Sequence, residues 1–322
     1  MGDVMTSGHV GMRPAPGRRH LQSRLSRLMG RDPLRRGVTV AYFALVFVLL
    51  LAPLLVVTGG SFSAPASENV TMSYVQFPPE RLTLKWYREI PATQYEALAL
   101  SFGLGLAVSL AACVIGVPAA LGLVRGRFPG KAFVGAILRA PLQIPHVVIG
   151  IAFLQLYHAI GDATGSHLQG TLFGLFLGHL FLATPFVIGS VGAVLQRFNP
   201  RLEEAAFILG ASQWRTLRRV TLPVLMPGIF SGGLYAFIVS FTDVPVALFL
   251  AASGHATYPV ELFYSMEQDF NPSALASATL VTSFALVLLV VTQRVVGVDQ
   301  LLRSGPKLSG GLSWCFCCAE SA

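Results

Sequence analysis

Six stretches of the chain are apolar over lengths near those of a membrane span, at roughly 38–58, 97–123, 140–160, 171–194, 228–252 and 275–293. A helix needs about 20 mostly apolar residues to cross the hydrocarbon core. None of the six alternates with the period of two that a membrane β-strand carries. In lipid, a helix satisfies every backbone N–H and C=O within its own segment. The pattern predicts an all-α membrane protein with about six transmembrane helices. Composition sharpens this, with 53% hydrophobic and 12% charged residues and a mean hydropathy of +0.64. A soluble domain carries about 25% charged residues, so the bilayer is the main solvent.

Prolines interrupt several windows, at Pro53, Pro118, Pro141, Pro145, Pro185 and Pro245. Membrane helices tolerate them because neighbours re-satisfy the freed carbonyls, and simple kinking is the plain reading of each. The Pro141–Pro145 pair also fits a broken segment lining a pathway. Gly170, Gly174 and Gly178 recur at four-residue spacing and predict a helix face open to close approach by another helix.

Net charge is +8, which changes the picture only through its placement. Of 23 lysines and arginines, 20 fall in residues 1–37, in the loops after the second and fourth windows, and in the C-terminal segment. The opposite loops hold Arg81, Lys85 and Arg88 alone. This bias is an orientation signal that puts both termini in the cytoplasm; interleaved with apolar runs, it does not describe a nucleic-acid surface. The chain divides into a basic cytoplasmic leader 1–37, a transmembrane domain 38–297 and a cytoplasmic tail 298–322. A cleaved signal peptide ending near Ala64-Pro65-Ala66 is the alternative for the first window, but its basic leader and apolar core are too long. Asn69-Val70-Thr71 matches a glycosylation acceptor, a pattern common by chance. Cys113 lies in an apolar run, and Cys315, Cys317 and Cys318 lie in a tail that reads as disordered; no disulfide framework or zinc spacing is present.

The connection 195–227 does not read as a floppy linker. Asn199 is a good N-cap and Pro200 suits the first helical position. Glu203 and Glu204 complement the positive end of the helix, and Arg215, Arg218 and Arg219 the far end. Leu202, Ala206 and Leu209 share one face, as do Trp214 and Leu217. Gly210 permits a turn between the halves, and Leu222-Pro223 with Pro227 is expected to close the element before the fifth span. The result is a short amphipathic helix-turn-helix at the membrane face, either lying on lipid or docking a soluble partner.

Within it, Glu204-Ala205-Ala206, three residues, Gly210, nine residues, then Val220-x-Leu222-Pro223 resembles the E-A-A loop of binding-protein-dependent ABC importer permeases. Val220 stands where isoleucine is usual in that family. The resemblance covers about residues 95 to 295. It implies that loop 199–223 is a coupling helix docking a separate ATPase through Glu203, Glu204, Ala205, Ala206, Gly210, Val220, Leu222 and Pro223. It further implies two ATP-binding subunits carrying ATP and Mg, a second permease subunit, identical or paralogous, and a periplasmic solute-binding protein, all at a bacterial inner membrane. This chain has no G-x-x-x-x-G-K-[ST] loop and so supplies neither the ATPase nor a cofactor site.

Two rivals stand beside this reading. An intramembrane enzyme would need a motif such as H-E-x-x-H or G-x-S-x-G, and neither is found. A secondary transporter or channel uncoupled from ATP would need an internal repeat that is not evident. Finer resemblance points to the spermidine/putrescine-type permeases, through Leu84-Lys85-Trp86-Tyr87, Ser240-Phe241-Thr242-Asp243-Val244-Pro245-Val246 and Tyr264-Ser265-Met266. Related branches handle opines, other amines, phosphonates, thiamine or ferric iron. Asp243 is the one acid expected well inside a span. It either bonds a neighbouring polar group near Pro245 or lines the pathway and offers charge to a cation. The outer loop acids Glu261, Glu267 and Asp269 suit a cation too. His146, His179, Gln143 and Gln155 read as hydrogen-bonded packing residues.

Overall fold

The computed structural model describes residues 33–64, 79, 81–251, 256–268 and 272–296. Leader residues 1–32, the Asn69 acceptor, Asp269 and the cysteine-bearing tail lie outside the described residues. Two compact units are distinguished, residues 1–58 and 59–322.

Helix α1 (Pro33–Ser61) carries the first apolar window and includes Pro53. The second unit begins with a short α2 (Lys85–Arg88) and a long α3 (Ala92–Arg125). An amphipathic α4 (Lys131–Arg139) follows, then a 3-10 turn, Ala140–Leu142, and α5 (His146–Thr164). Next come α6 (Leu172–Gln196), α7 (Arg201–Ile208) and α8 (Gln213–Thr216). A single π turn, Leu217–Thr221, leads into α9 (Leu222–Thr242). The chain closes with α10 (Pro245–Leu250), α11 (Tyr258–Gln268) and α12 (Pro272–Val296). Five helical stretches are long and apolar enough to span, namely Gly37–Ser61, Ala92–Arg125, His146–Thr164, Leu172–Gln196 and Gln213–Thr242. Pro272–Val287 is a shorter apolar stretch that overlaps the predicted sixth window.

The core is a three-helix contact among α3, α6 and α9. Val108, Ala112, Val187, Val191, Leu225 and Ala236 are fully buried there. Small residues set the spacing, because lipid supplies no hydrophobic force between helices and close backbone approach must do the work. A Cβ on Gly232 would sit 2.9 Å from Val187 Cα, and one on Gly116 2.9 Å from Val187 Cβ.

Three sequence expectations are corrected. The third window does not form one helix from 140, since Pro141 lies in the 3-10 turn and Pro145 precedes α5. Each proline withdraws an N–H and restricts the residue before it, so the Pro141–Pro145 segment is broken rather than kinked. The fifth window is likewise two helices, with α9 ending before Asp243 and α10 starting at Pro245. Finally, the glycine repeat is not one stripe. Gly170 sits outside the helix at φ +74°, while the Cβ position of Gly174 lies 3.1 Å from the Tyr157 ring of α5 and that of Gly178 lies 2.5 and 3.1 Å from Leu250 and Val246 of α10. A Cβ on Gly150 of α5 would likewise lie 2.7 Å from the Phe249 ring and 3.2 Å from the Pro245 carbonyl. Helix α10 is therefore wedged between two glycines.

The motif Leu84-Lys85-Trp86-Tyr87 is an anchor. Trp86 is buried and its Nε1–H donates to the Ser63 carbonyl at 2.7 Å, while the Tyr87 and Ser61 hydroxyls lie 2.8 Å apart. Ile90 and Ala276 complete a small apolar cluster around it.

Candidate functional site

The loop between the fourth and fifth spans folds as its sequence directs at its start. The Asn199 side chain accepts the Arg201 N–H at 3.1 Å, so it caps α7 although Pro200 occupies the formal cap position. At the far end, the Gly210 N–H donates to the Phe207 carbonyl at 2.9 Å and the Ala211 N–H to the Ala206 carbonyl at 3.0 Å. These two bonds form a Schellman ending, which needs a left-handed residue at its turn. Gly210 supplies it at φ +80°. A Cβ there would meet open space, so glycine is required by the backbone angle and not by crowding. Ser212, which sequence reasoning passed over, restarts the chain by accepting the Arg215 N–H at 3.4 Å.

Leu222-Pro223 does not close this element. It opens α9, and Pro227 lies inside that helix. Proline is at home in a first helical turn. Pro223 has no N–H for the carbonyl four residues back, and the helix widens into the π turn just before it, with the Leu222 N–H on the Leu217 carbonyl.

The proposed docking residues divide into two groups. Glu204, Ala205 and Gly210 are exposed, and an apolar tip stands beyond them, with Ile208 85%, Leu209 87% and Trp214 69% exposed. Leu202 and Leu209, placed on one face by their spacing, are both exposed. Ala206, Val220 and Leu222 are half-buried and Pro223 is exposed. Glu203 turns the other way. Its Oε1 accepts Arg125 Nη2 at 2.8 Å and the Thr221 hydroxyl. The Arg125 guanidinium also lies 5.4 Å from the Phe198 ring centroid. Sequence distance hid this pairing, since Arg125 and Glu203 are 78 positions apart.

The second site is the break in the fifth span. The Asp243 side chain has 0% exposure, and its Oδ2 accepts the N–H groups of Val246 at 2.8 Å and Ala247 at 3.3 Å. It caps α10, the bond an aspartate makes best at a helix start. Its Oδ1 lies 2.8 Å from Nδ1 of His146. Facing a carboxylate, which when ionised only accepts, the ring would donate from Nδ1 and, if neutral, keep an acceptor at Nε2. The His146 side chain is 41% exposed. Of the two groups, then, the histidine reaches accessible space and the acid stands behind it. His179, by contrast, is buried and bonds the Leu175 carbonyl through Nδ1 at 2.8 Å, as a packing residue would.

Five apolar helical stretches of spanning length, a shorter sixth, and a capped, apolar-tipped loop between the fourth and fifth are the features to be matched among membrane proteins. A family model described as binding-protein-dependent transport system inner membrane component matches residues 112–298, and the chain belongs to that family. It is a multi-pass inner membrane permease subunit of the ABC transporter type. Among its relatives is the putrescine transport system permease protein PotI of Escherichia coli K12. The two are 31% identical over 254 residues, 78% of this chain and 86% of the relative. The spermidine/putrescine transport system permease protein PotC of the same organism is 29% identical over 264 residues, 81% of this chain and 93% of the relative. A probable sulfate transport system permease protein of Chlorokybus atmophyticus is 32% identical over 195 residues, 58% of this chain and 68% of the relative. In fold, the chain resembles the structure of a bacterial ABC transporter involved in import of the acidic polysaccharide alginate. The TM-score is 0.59 at 20% identity, covering 84% of this chain and 97% of that one.

Proposed function

We propose that this chain is one permease half of an ATP-driven importer that carries a polyamine or related organic cation from periplasm to cytoplasm. In this reading one of two separate ATPase subunits, each holding ATP and Mg, seats on the loop 199–223. A second permease subunit completes the pathway, and a periplasmic binding protein delivers the solute. The observation that carries the coupling is the exposed tip of Ile208, Leu209 and Trp214 beside Glu204 and Ala205. Large apolar side chains held out by a rigid, double-capped turn are the anchors of an interface. A short helix tied to two spans can pass a rigid-body movement into the membrane.

The substrate class rests on the two polyamine permease relatives and on the break at Asp243. The Asp243 carboxylate lies 2.8 Å from Nδ1 of His146, and in this reading the ring donates there and offers an ammonium group its Nε2 lone pair. Asp243 thereby serves a cation through His146 and not by direct contact. The test is uptake into proteoliposomes holding the complete complex. Putrescine or spermidine accumulation that requires ATP and the binding protein is expected. Accumulation of sulfate in place of polyamine would set the substrate reading aside.

The orientation is tested separately. Reporter fusions after Lys85 and after Met266 are expected to read as external, following the 20-to-3 placement of basic residues. A cytoplasmic reading at either position would overturn the six-span arrangement with both termini inside.

A further inference from the structure

We infer that Glu203 is a positioning residue that fastens the docking helix α7 to the second span and to the root of the fifth. The inference rests on the docking reading of the loop and adds to it a path by which movement enters the bundle. Helix α7 is joined covalently to α6 through 197–200 and to the fifth span through the Gly210 turn. It has no covalent link to α3, whose last residue is Arg125. The ion pair from Arg125 Nη2 to Glu203 Oε1, at 2.8 Å, supplies a non-covalent one. The same carboxylate oxygen holds the Thr221 hydroxyl at the end of the π turn. Arg125 is itself steadied over the Phe198 ring at the foot of α6. One carboxylate thus gathers the inner ends of three spans onto the docking helix.

The π turn gives this arrangement its purpose. Its Leu222-to-Leu217 bond is one residue wider than an α-helical bond, and such turns are departures from the regular helix that collect at functional sites. A push on α7 passing only through the chain would cross the Gly210 turn and then the π turn before reaching α9. Through Glu203 it reaches Thr221 directly, and α3 at the same time. Exposed ion pairs contribute little to stability, and Arg125 is 38% and Glu203 18% exposed. The pair therefore acts on geometry. Its neighbour Glu204 faces outward, so the two adjacent glutamates have separate tasks.

The test uses the complete complex in proteoliposomes and reads two quantities, ATPase subunits retained on purification and solute carried per ATP hydrolysed. Glu203→Ala and Arg125→Glu are expected to keep the ATPase subunits while transport per ATP falls about fivefold, a size in keeping with coupling inside a shared network. Glu203→Gln keeps both hydrogen-bonding positions without the charge and is expected to fall between these and the parent. The exchange Arg125→Glu with Glu203→Arg restores the pair, since Thr221 can accept from arginine as it donates to glutamate, and is expected to return to within about twofold of the parent. Unchanged transport per ATP in the single variants, or an exchange that rescues nothing, would overturn the inference. Loss of the ATPase subunits in Glu203→Ala would also overturn it, by moving Glu203 onto the docking surface. The docking reading is tested by whether the parent loop holds the ATPase and the role of Glu203 by transport per ATP in its variants, so the two readings fail separately.

Discussion

A Gly210→Val protein is expected to insert normally, lose its ATPase subunits on purification and carry almost no solute. At φ +80° an L residue brings its Cβ against the following carbonyl, at about 1–2 kcal/mol, and a β-branched residue is worse. That strain is enough to weaken a docked interface about tenfold. The chain escapes it only by releasing the two bonds from Gly210 and Ala211, which swings Ile208 and Leu209 away from Trp214. Gly210→Glu adds a charge to the docking surface and is expected to be at least as damaging. Asparagine tolerates the left-handed region, and open space surrounds the Cβ position. Gly210→Asn is therefore expected to keep most activity. The measurement is the ratio of ATPase subunit to permease after purification, with uptake alongside. A Gly210→Val complex that holds its ATPase and transports normally would remove the loop from the docking role.

The second large effect is expected at Asp243. Asp243→Ala strips two N–H groups of their acceptor and His146 of its partner, all in a setting of low polarity. Each unsatisfied buried group costs about 1–3 kcal/mol, and α10 loses its cap, about 1 kcal/mol more. The unfolding temperature in detergent is expected to fall by several degrees, and uptake by more than tenfold. Asp243→Asn divides the roles. Its amide oxygen still caps α10 while its NH2 reverses the proton on His146, so stability is expected to persist and cation uptake to drop severalfold. If Asp243→Asn transports like the parent, the acid is a cap and nothing more.

The sequence was most legible where the chemistry is local. The apolar windows, five of them spans and the sixth a shorter stretch, the Asn199 cap and the need for a turn at Gly210 are each read from a local run of residues. The break at Asp243 was not legible, because Val244 to Leu250 prolong the apolar run and nothing in hydropathy separates one long helix from two short ones. The signal was present in a pair, an acid two residues before a proline, which caps a new helix start more readily than it kinks an old one. Leu222-Pro223 was misread for a related reason, since proline ends a helix from behind and begins one from in front. The partners of Glu203 and Asp243 lie 78 and 97 positions away. No spacing rule reaches that far, so the residues were visible and their directions were not.

The outward tip of α7 has a consequence for the cell that makes this protein. On the docking reading, Ile208, Leu209 and Trp214 stay exposed until the ATPase covers them, and exposed apolar clusters adhere to chaperones, proteases and one another. A permease synthesised in excess of its ATPase therefore advertises its own orphan status. Balanced production of the subunits becomes a condition of survival for the permease, and co-expression with the ATPase is expected to raise its yield. Polar replacements at Ile208 and Leu209 would let the solitary chain persist at the expense of the complex.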